Sequence, residues 1–402
     1  MNPLDGEAGV RGHRELDLAL LDDSEGLQRN DPGGMLRATA SAGAQVRESA
    51  ALAAEANLSS IADEGRPRAV VVAGVGTAAR TGDILETVAG PRCPVPVLSH
   101  RSAGIPGWVG AADVVIAVSA SGRSPEALAA AEAAARRGAR LVAIGAPDSE
   151  LQALAERARA PFIPVPRRAP ARASLWALTV PVLLAGREVG LVKVNEADFA
   201  ETATRLDADA ERCRTALETF VNPGKSLALD LAHSIPVVWG SSPLATVAAR
   251  RFGDTLAANA RYPVMAGALG EAGRGRVGLL DGVFGGLAEA ERDIFADPED
   301  AEQAATRLRL VLLRDGGLAG EEEAADGEPA AVEDRRAEAV QKLAERRGVR
   351  VSLLTAEGAS PLERLASLVA VPDFASLYLG LAHGLDPMAV PAISEMKDLV
   401  SP

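Results

Sequence analysis

Val114-Val115-Ile116-Ala117-Val118-Ser119-Ala120-Ser121-Gly122-Arg123-Ser124-Pro125-Glu126 reads as one strand, one turn and the opening of one helix. Val114 to Val118 is a continuous apolar run rich in β-branched residues, the pattern of a strand covered on both faces. Ser124 stands where an N-cap hydroxyl belongs, Pro125 at the first helical position, and an Ala-rich window to Arg137 follows. Ser119, Ser121 and Ser124 put hydroxyls at i, i+2 and i+5 around Gly122. Such a turn caps a helix and can also ring a phosphate. Capping alone would not require Ser119 and Ser121 at the strand's carboxyl end, the edge at which open α/β sheets bind ligands.

Further short β-branched runs alternate with helical windows on both sides of this segment. Strands are expected at Ala69 to Ala73, Val95 to Ser99, Arg140 to Ile144 and Phe162 to Val165, with helices at Thr81 to Val88, Ser124 to Arg137 and Glu150 to Ala158. That alternation implies right-handed βαβ crossovers and a mostly parallel sheet. The texture then repeats. Ile235 to Trp239 ends in Gly240-Ser241-Ser242, as Ala69 to Ala73 ends in Gly74-Val75-Gly76-Thr77, and strands are expected again at Arg276 to Leu280, Arg307 to Leu313, Val349 to Leu354 and Ser367 to Val371. Apolar helices follow the last expected strand of each half, Ser174 to Leu184 in the first and Phe374 to Ala382 in the second.

The expected organisation is an N-terminal extension over 1–34, a first α/β domain over 35–190, a linker helix over 191–220 and a second α/β domain over 221–402. The second domain carries an acidic insertion over 316–334, containing Glu321-Glu322-Glu323, whose composition buries too little apolar surface to order itself. At 402 residues the chain exceeds the roughly 250–300 at which single cores stop growing, so two domains are the prior. The fold class is α/β: two flavodoxin-like parallel sheets, each flanked by helices, with the ligand cleft between them.

A net charge of −13 gives no electrostatic basis for wrapping nucleic acid, whose phosphates need clustered Lys and Arg. Cys93 and Cys213 make no disulfide framework and have no metal-ligand spacing nearby, so no metal is expected. The most apolar stretch, Leu175 to Ala185, is short and holds Pro181, which reads as a buried helix and a soluble, cytoplasmic protein with no membrane partner. Gly74-Val75-Gly76-Thr77-Ala78-Ala79-Arg80-Thr81-Gly82 offers backbone N–H groups to an anion at a helix start. Its third Gly is misplaced for a dinucleotide fingerprint, and the second strand ends Leu98-Ser99-His100 with no acidic residue, so no cofactor is expected.

The Ser119 to Glu126 turn, following a Gly-rich first turn, resembles the S-x-S-G-x-[ST]-x-E phosphate loop of the SIS (sugar isomerase) domain. Ala171-Arg172-Ala173-Ser174-Leu175 resembles the P-R-A-[AS]-[LF] segment of the bifunctional phosphoglucose/phosphomannose isomerases. Asn222-Pro223-Gly224-Lys225-Ser226-Leu227-Ala228 with Ile235 to Gly240, and Gly384-Leu385-Asp386-Pro387 with Lys397 downstream, are similar to that family's second SIS domain and C-terminal helix. The resemblance runs over roughly 35–397 and implies two tandem SIS domains in a homodimer. It also implies a metal-independent aldose–ketose isomerase acting on a sugar phosphate through an enediolate. By carry-over Gly76, Thr77, Ser119, Ser121 and Ser124 hold the phosphate, Arg172 stabilises the enediolate oxygen and Lys397 lines the site.

The chain departs from that pattern where proton transfer needs it. In the segment resembling R-R-W-x-x-Q-[IL]-N-E-N-A-K it reads Arg250 to Arg261, and Ala258 occupies the position of the basic Glu. A methyl group accepts no proton. The family's N-H-N-E stretch with its ring-opening His is replaced near Gly273-Arg274-Gly275-Arg276, and no His lies between His233 and His383. Glu271, or Asp254, is the candidate replacement base. The remaining histidines, His13, His100, His233 and His383, read as structural or surface residues. Two functions follow: an isomerase with a relocated base, or a non-catalytic phosphosugar-binding sensor or partner protein. A SIS-type transcriptional regulator would need a basic helix-turn-helix domain, which the acidic N-terminal region does not offer.

Overall fold

The structure is a computed structural model and describes residues 16–289, 307–316 and 328–400. His13, the Glu321 to Glu323 run and most of the expected insertion lie outside the described residues.

The chain opens with α1 (Ser24–Asn30), α2 (Met35–Ala40) and α3 (Ala42–Glu55). Then come β1 (Val70–Ala73), α4 (Thr77–Ala89), β2 (Val97–His100), β3 (Val114–Ser119), α5 (Pro125–Arg136), β4 (Arg140–Gly145), α6 (Glu150–Ala158), β5 (Phe162–Pro164) and α7 (Leu175–Glu188). The five strands are parallel in the order β2-β1-β3-β4-β5, the flavodoxin-like order. β1 and β3 are buried along their whole length, as their unbroken apolar runs require.

The second half contains α8 (Glu196–Arg212), α9 (Pro223–Leu231), β6 (Ser234–Gly240), α10 (Pro243–Thr255), a π turn over Leu256–Ala260, β7 (Met265–Ala268) and α11 (Leu269–Ala272). After these come β8 (Arg307–Arg314), α12 (Glu328–Arg346), β9 (Arg350–Thr355), α13 (Pro361–Ala382) and α14 (Pro391–Val400). Among the described residues its sheet is parallel in the order β7-β6-β8-β9, matching the order of the first four strands of the first sheet.

One apolar cluster runs from the inner face of the first sheet (Val70, Val72, Ile116) through α3, α4, α7, α8, α10 and α13 to the inner face of the second (Val238, Val311, Leu313). Separate clusters cover the outer faces, one under α5 and α6 and one under α12. The molecule is therefore five layers, with a shared helical layer in the middle.

Several expectations are corrected. Ser367 to Val371 is not a strand: it lies inside α13, which continues through Pro372. Proline removes one helical hydrogen bond, but α13 buries Leu368, Val369, Leu377, Leu379 and Leu381 almost completely, and that packing decides. α13 is also long and apolar enough to cross a bilayer, yet 89% of its most apolar window is buried inside the protein. Arg276 to Leu280 is not a strand but lies in the 3-10 turn Arg276–Asp281; the edge position goes to Met265–Ala268, which pairs with β6. Residues 328–334 of the expected insertion belong to α12. The expected linker helix stops at Arg212 and packs against both α3 and α13, so it belongs to the shared layer.

Candidate functional site

β1 and β3 are hydrogen-bonded neighbours, with Ala73 paired to Ala117. β1 leads into α4, which packs in the shared inner layer, and β3 leads into α5 on the outer face. Helices leaving adjacent strands for opposite faces open a crevice at the strands' carboxyl ends, the topological switch point. Gly76, Ser121 and Ser124 stand on the two loops that leave these strands, with Ser119 closing β3 and Thr77 opening α4.

Gly76 precedes α4 at φ 60, ψ −129, a backbone region open essentially to glycine, and places Thr77 in the first turn. After β3, Gly122 turns the chain at φ +67 while its N–H donates to the Ser119 carbonyl at 3.0 Å. Ser119 is buried, Ser121 exposed and Ser124 between them. The Arg123 N–H donates to Ser121 Oγ at 3.2 Å and the Ser124 N–H to Ser119 Oγ at 3.3 Å. The two hydroxyls lie 3.5 Å apart. Accepting these N–H groups leaves each hydroxyl hydrogen free to turn, so the loop presents hydroxyl donors beside a helix start. Ser124 is the N-cap residue, as expected, but its hydroxyl does not cap α5; it donates to Glu126 Oε2 at 2.7 Å.

Arg172 sits in the 3-10 turn Ala171–Ala173 before α7. Its guanidinium donates to the carbonyls of Ala258 (3.2 Å), Met388 (3.4 Å) and Pro387, and its own carbonyl accepts from Arg251 at 2.5 Å. Burial, then the neighbouring Arg261 and Arg251 cations, push its pKa below the ordinary arginine value. Arg261, in the left-handed region after the π turn, also donates to the Ala258 carbonyl and reaches Asn259 O (2.9 Å), Asp386 O (3.2 Å) and Ala389 O. The position expected to carry a base therefore has its backbone oxygen bound by two guanidinium groups. Arg172 ties the first sheet's loops to the C-terminal segment.

The other expected site residues do not gather here. Glu271 lies in α11 of the second half with its side chain 66% exposed, 4.0 Å from Arg276. Asp254 is held by Arg80 through bonds of 2.7 and 3.1 Å. Lys397 falls in α14, and its side chain lies outside the described residues. Among the described residues no cluster of three or more His, Cys, Asp or Glu could hold a metal.

Two groupings escaped the sequence reading. Tyr262 Oη and His383 Nε2 are 2.8 Å apart, directly after the π turn. Burial raises the tyrosine pKa; burial and then His233 lower that of the histidine, so both stay neutral near pH 7. The other is an open cleft of about 600 Å³ between the halves, walled by Arg80, Arg101, Arg250 and Asp254 and containing, apart from Asp254, none of the expected site residues. Neither carries a sequence signal, because each joins positions far apart in the chain.

The chain is an α/β protein of two parallel sheets, each flanked by helices. Residues 220–400 match the family described as the bacterial phospho-glucose isomerase C-terminal SIS domain. A bifunctional phosphoglucose/phosphomannose isomerase of Caldicellulosiruptor bescii is 26% identical over 330 residues, covering 82% of this chain and 88% of its own. In fold the chain is similar to a hypothetical protein from Thermus thermophilus (TM-score 0.66, 17% identity, 95% of this chain and 94% of that one). A putative phosphosugar isomerase from Clostridium difficile is also similar (TM-score 0.62, 12% identity, 92% and 99%). These matches agree with the resemblance read from the sequence: the second half is similar to a bacterial phospho-glucose isomerase SIS domain, and most of the chain to a bifunctional phosphoglucose/phosphomannose isomerase.

Proposed function

We propose that the chain binds a hexose phosphate at the switch point, with its phosphate held by the Ser119 to Ser124 loop and the start of α4. The observation that carries this reading is the position of Ser119, Ser121 and Ser124 around Gly122 at the carboxyl end of β3. One hydroxyl bonded to a dianion contributes about 1.5–3 kcal/mol, so Ser121→Ala should weaken glucose 6-phosphate binding roughly tenfold or more by calorimetry. Unchanged affinity in that variant would remove the loop from the site.

A second reading, aldose–ketose isomerisation of glucose 6-phosphate or mannose 6-phosphate with fructose 6-phosphate, draws its support from the name of the Caldicellulosiruptor bescii relative. In it Arg172 faces the enediolate oxygen, Lys397 lines the site, and Glu271 or Asp254 replaces the base missing at Ala258. The engagement of Arg172 with three carbonyls and the solvation of Glu271 favour binding over turnover. A coupled assay decides between the two. Turnover lost in Arg172→Ala establishes the isomerase, whereas binding without turnover establishes the non-catalytic phosphosugar protein. Either form is expected to be a homodimer, which sedimentation checks.

A further inference from the structure

The cleft between the halves has an unbalanced charge. Asp83 accepts from Arg80 at 2.8 Å and from Arg101 at 2.5 and 2.6 Å, and Asp254 accepts two bonds from Arg80. Burial works against charge on Arg80, but Asp254 and Asp83 outweigh it and hold its pKa above the ordinary value. Arg250 stands one turn before Asp254 on α10, where an i, i+4 ion pair would form readily. Asp254 is instead turned across the seam to Arg80, and exposed Arg250 has no ion pair or side-chain hydrogen bond among the described residues. Three guanidinium groups thus face two carboxylates. A third anion in the cleft would balance them, and guanidinium forks suit a phosphate.

The rest of the cleft sets the size and character of that anion. Its volume of about 600 Å³ suits a small molecule. Its remaining lining is Gly253, Ala257, Val264 and Ala266, all small and mostly apolar. A Cβ on Gly253 would come within 3.0 Å of the Ala266 Cβ, so this floor depends on the glycine. A cationic rim over a shallow apolar floor fits a charged head group on a compact carbon body.

We propose that this cleft is a second site, separate from the Ser119 to Ser124 loop, for a small organic phosphate. Arg101 and Arg250 supply charge-assisted donors to its phosphate, and the Arg80–Asp254 ion pair holds the two walls together. Because α4 and the residue after β2 come from the first half and α10 and β7 from the second, an occupant bridges the halves.

The test is calorimetric titration of the full chain with 6-phosphogluconate, a sugar phosphate that cannot undergo aldose–ketose exchange. Arg250→Ala is expected to weaken one binding equivalent at least about tenfold, and Arg250→Lys to recover part of it. Circular dichroism confirms that removing an exposed, unpaired side chain leaves the fold intact. If the loop also binds, a second equivalent remains in Arg250→Ala and is weakened by Ser121→Ala. An equivalent sensitive to Arg250→Ala but indifferent to Ser121→Ala supports the cleft even if the loop reading fails. No equivalent sensitive to Arg250→Ala, or a single equivalent sensitive to both changes, overturns the proposal.

Discussion

Gly122→Ala is expected to abolish sugar-phosphate binding and to destabilise the protein by about 2–4 kcal/mol, from two separable causes. Gly122 sits at φ +67, and a side chain in that left-handed region costs roughly 1–2 kcal/mol. The added Cβ would also fall 2.1 Å from Ser149 Oγ, which accepts the Gln152 N–H at 3.3 Å as the N-cap of α6. Displacing that hydroxyl removes a cap of about 0.5–2 kcal/mol. The loop cannot simply move away, because Gly122 O accepts the Leu151 N–H at 3.0 Å and its own N–H holds Ser119 O. A shift there carries Ser119 and Ser121 with it. Chemical denaturation gives the stability change, and calorimetry with glucose 6-phosphate gives the binding. Gly76→Ala separates the two causes for stability alone: its backbone also disfavours a side chain, but nothing lies within 4 Å of the added Cβ, so its loss carries no steric part. Wild-type affinity in Gly122→Ala would mean that the hydroxyls bind elsewhere or not at all.

The first half is legible in the sequence because its central strands, β1, β3 and β4, are buried almost throughout and are therefore written as short apolar runs, β-branched in β1 and β3. The second half is less so. The sequence reading puts Pro181 inside an apolar helix and Pro372 at a boundary, yet both lie inside buried helices, and nothing local to the two prolines tells them apart. The decision is made by the packing of α13 against α8, α9 and α10, which are distant in sequence. β7 reads Met265-Ala-Gly-Ala, with no β-branched residue, and owes its strand conformation to pairing with β6. In the candidate site the hydroxyl loop is legible because one short segment makes it. The environment of Arg172 is not, since its partners Ala258, Pro387 and Met388 lie 86 to 216 residues away.

Arg251→Ala is expected to cost about 3–5 kcal/mol, the usual penalty for stripping one partner from a buried ion pair. Arg251 is 4% exposed; its Nε and Nη2 donate to the two Asp373 carboxylate oxygens at 3.1 and 2.9 Å, and Nη2 also donates to the Arg172 carbonyl. The pair therefore joins α10 to α13 and steadies the turn that holds Arg172, so loss of Arg251 should also disturb the candidate site. The deficit should depend on pH with a definite sign. Burial raises the Asp373 pKa above 3.8, and the pull of Arg251 only partly offsets it. Between the unfolded and folded values the folded state binds more protons, so stability falls as pH rises through that interval. Without Arg251 the folded value climbs further and the interval extends upward. The variant's deficit is then largest at neutral pH and shrinks as the pH falls towards the ordinary carboxylate range. Denaturation at pH 7 and pH 5 measures it, and a deficit that is equal at both or larger at pH 5 would refute the burial argument. Replacing both partners, as in Arg251→Met with Asp373→Leu, should recover most of the loss, because no uncompensated charge is left inside.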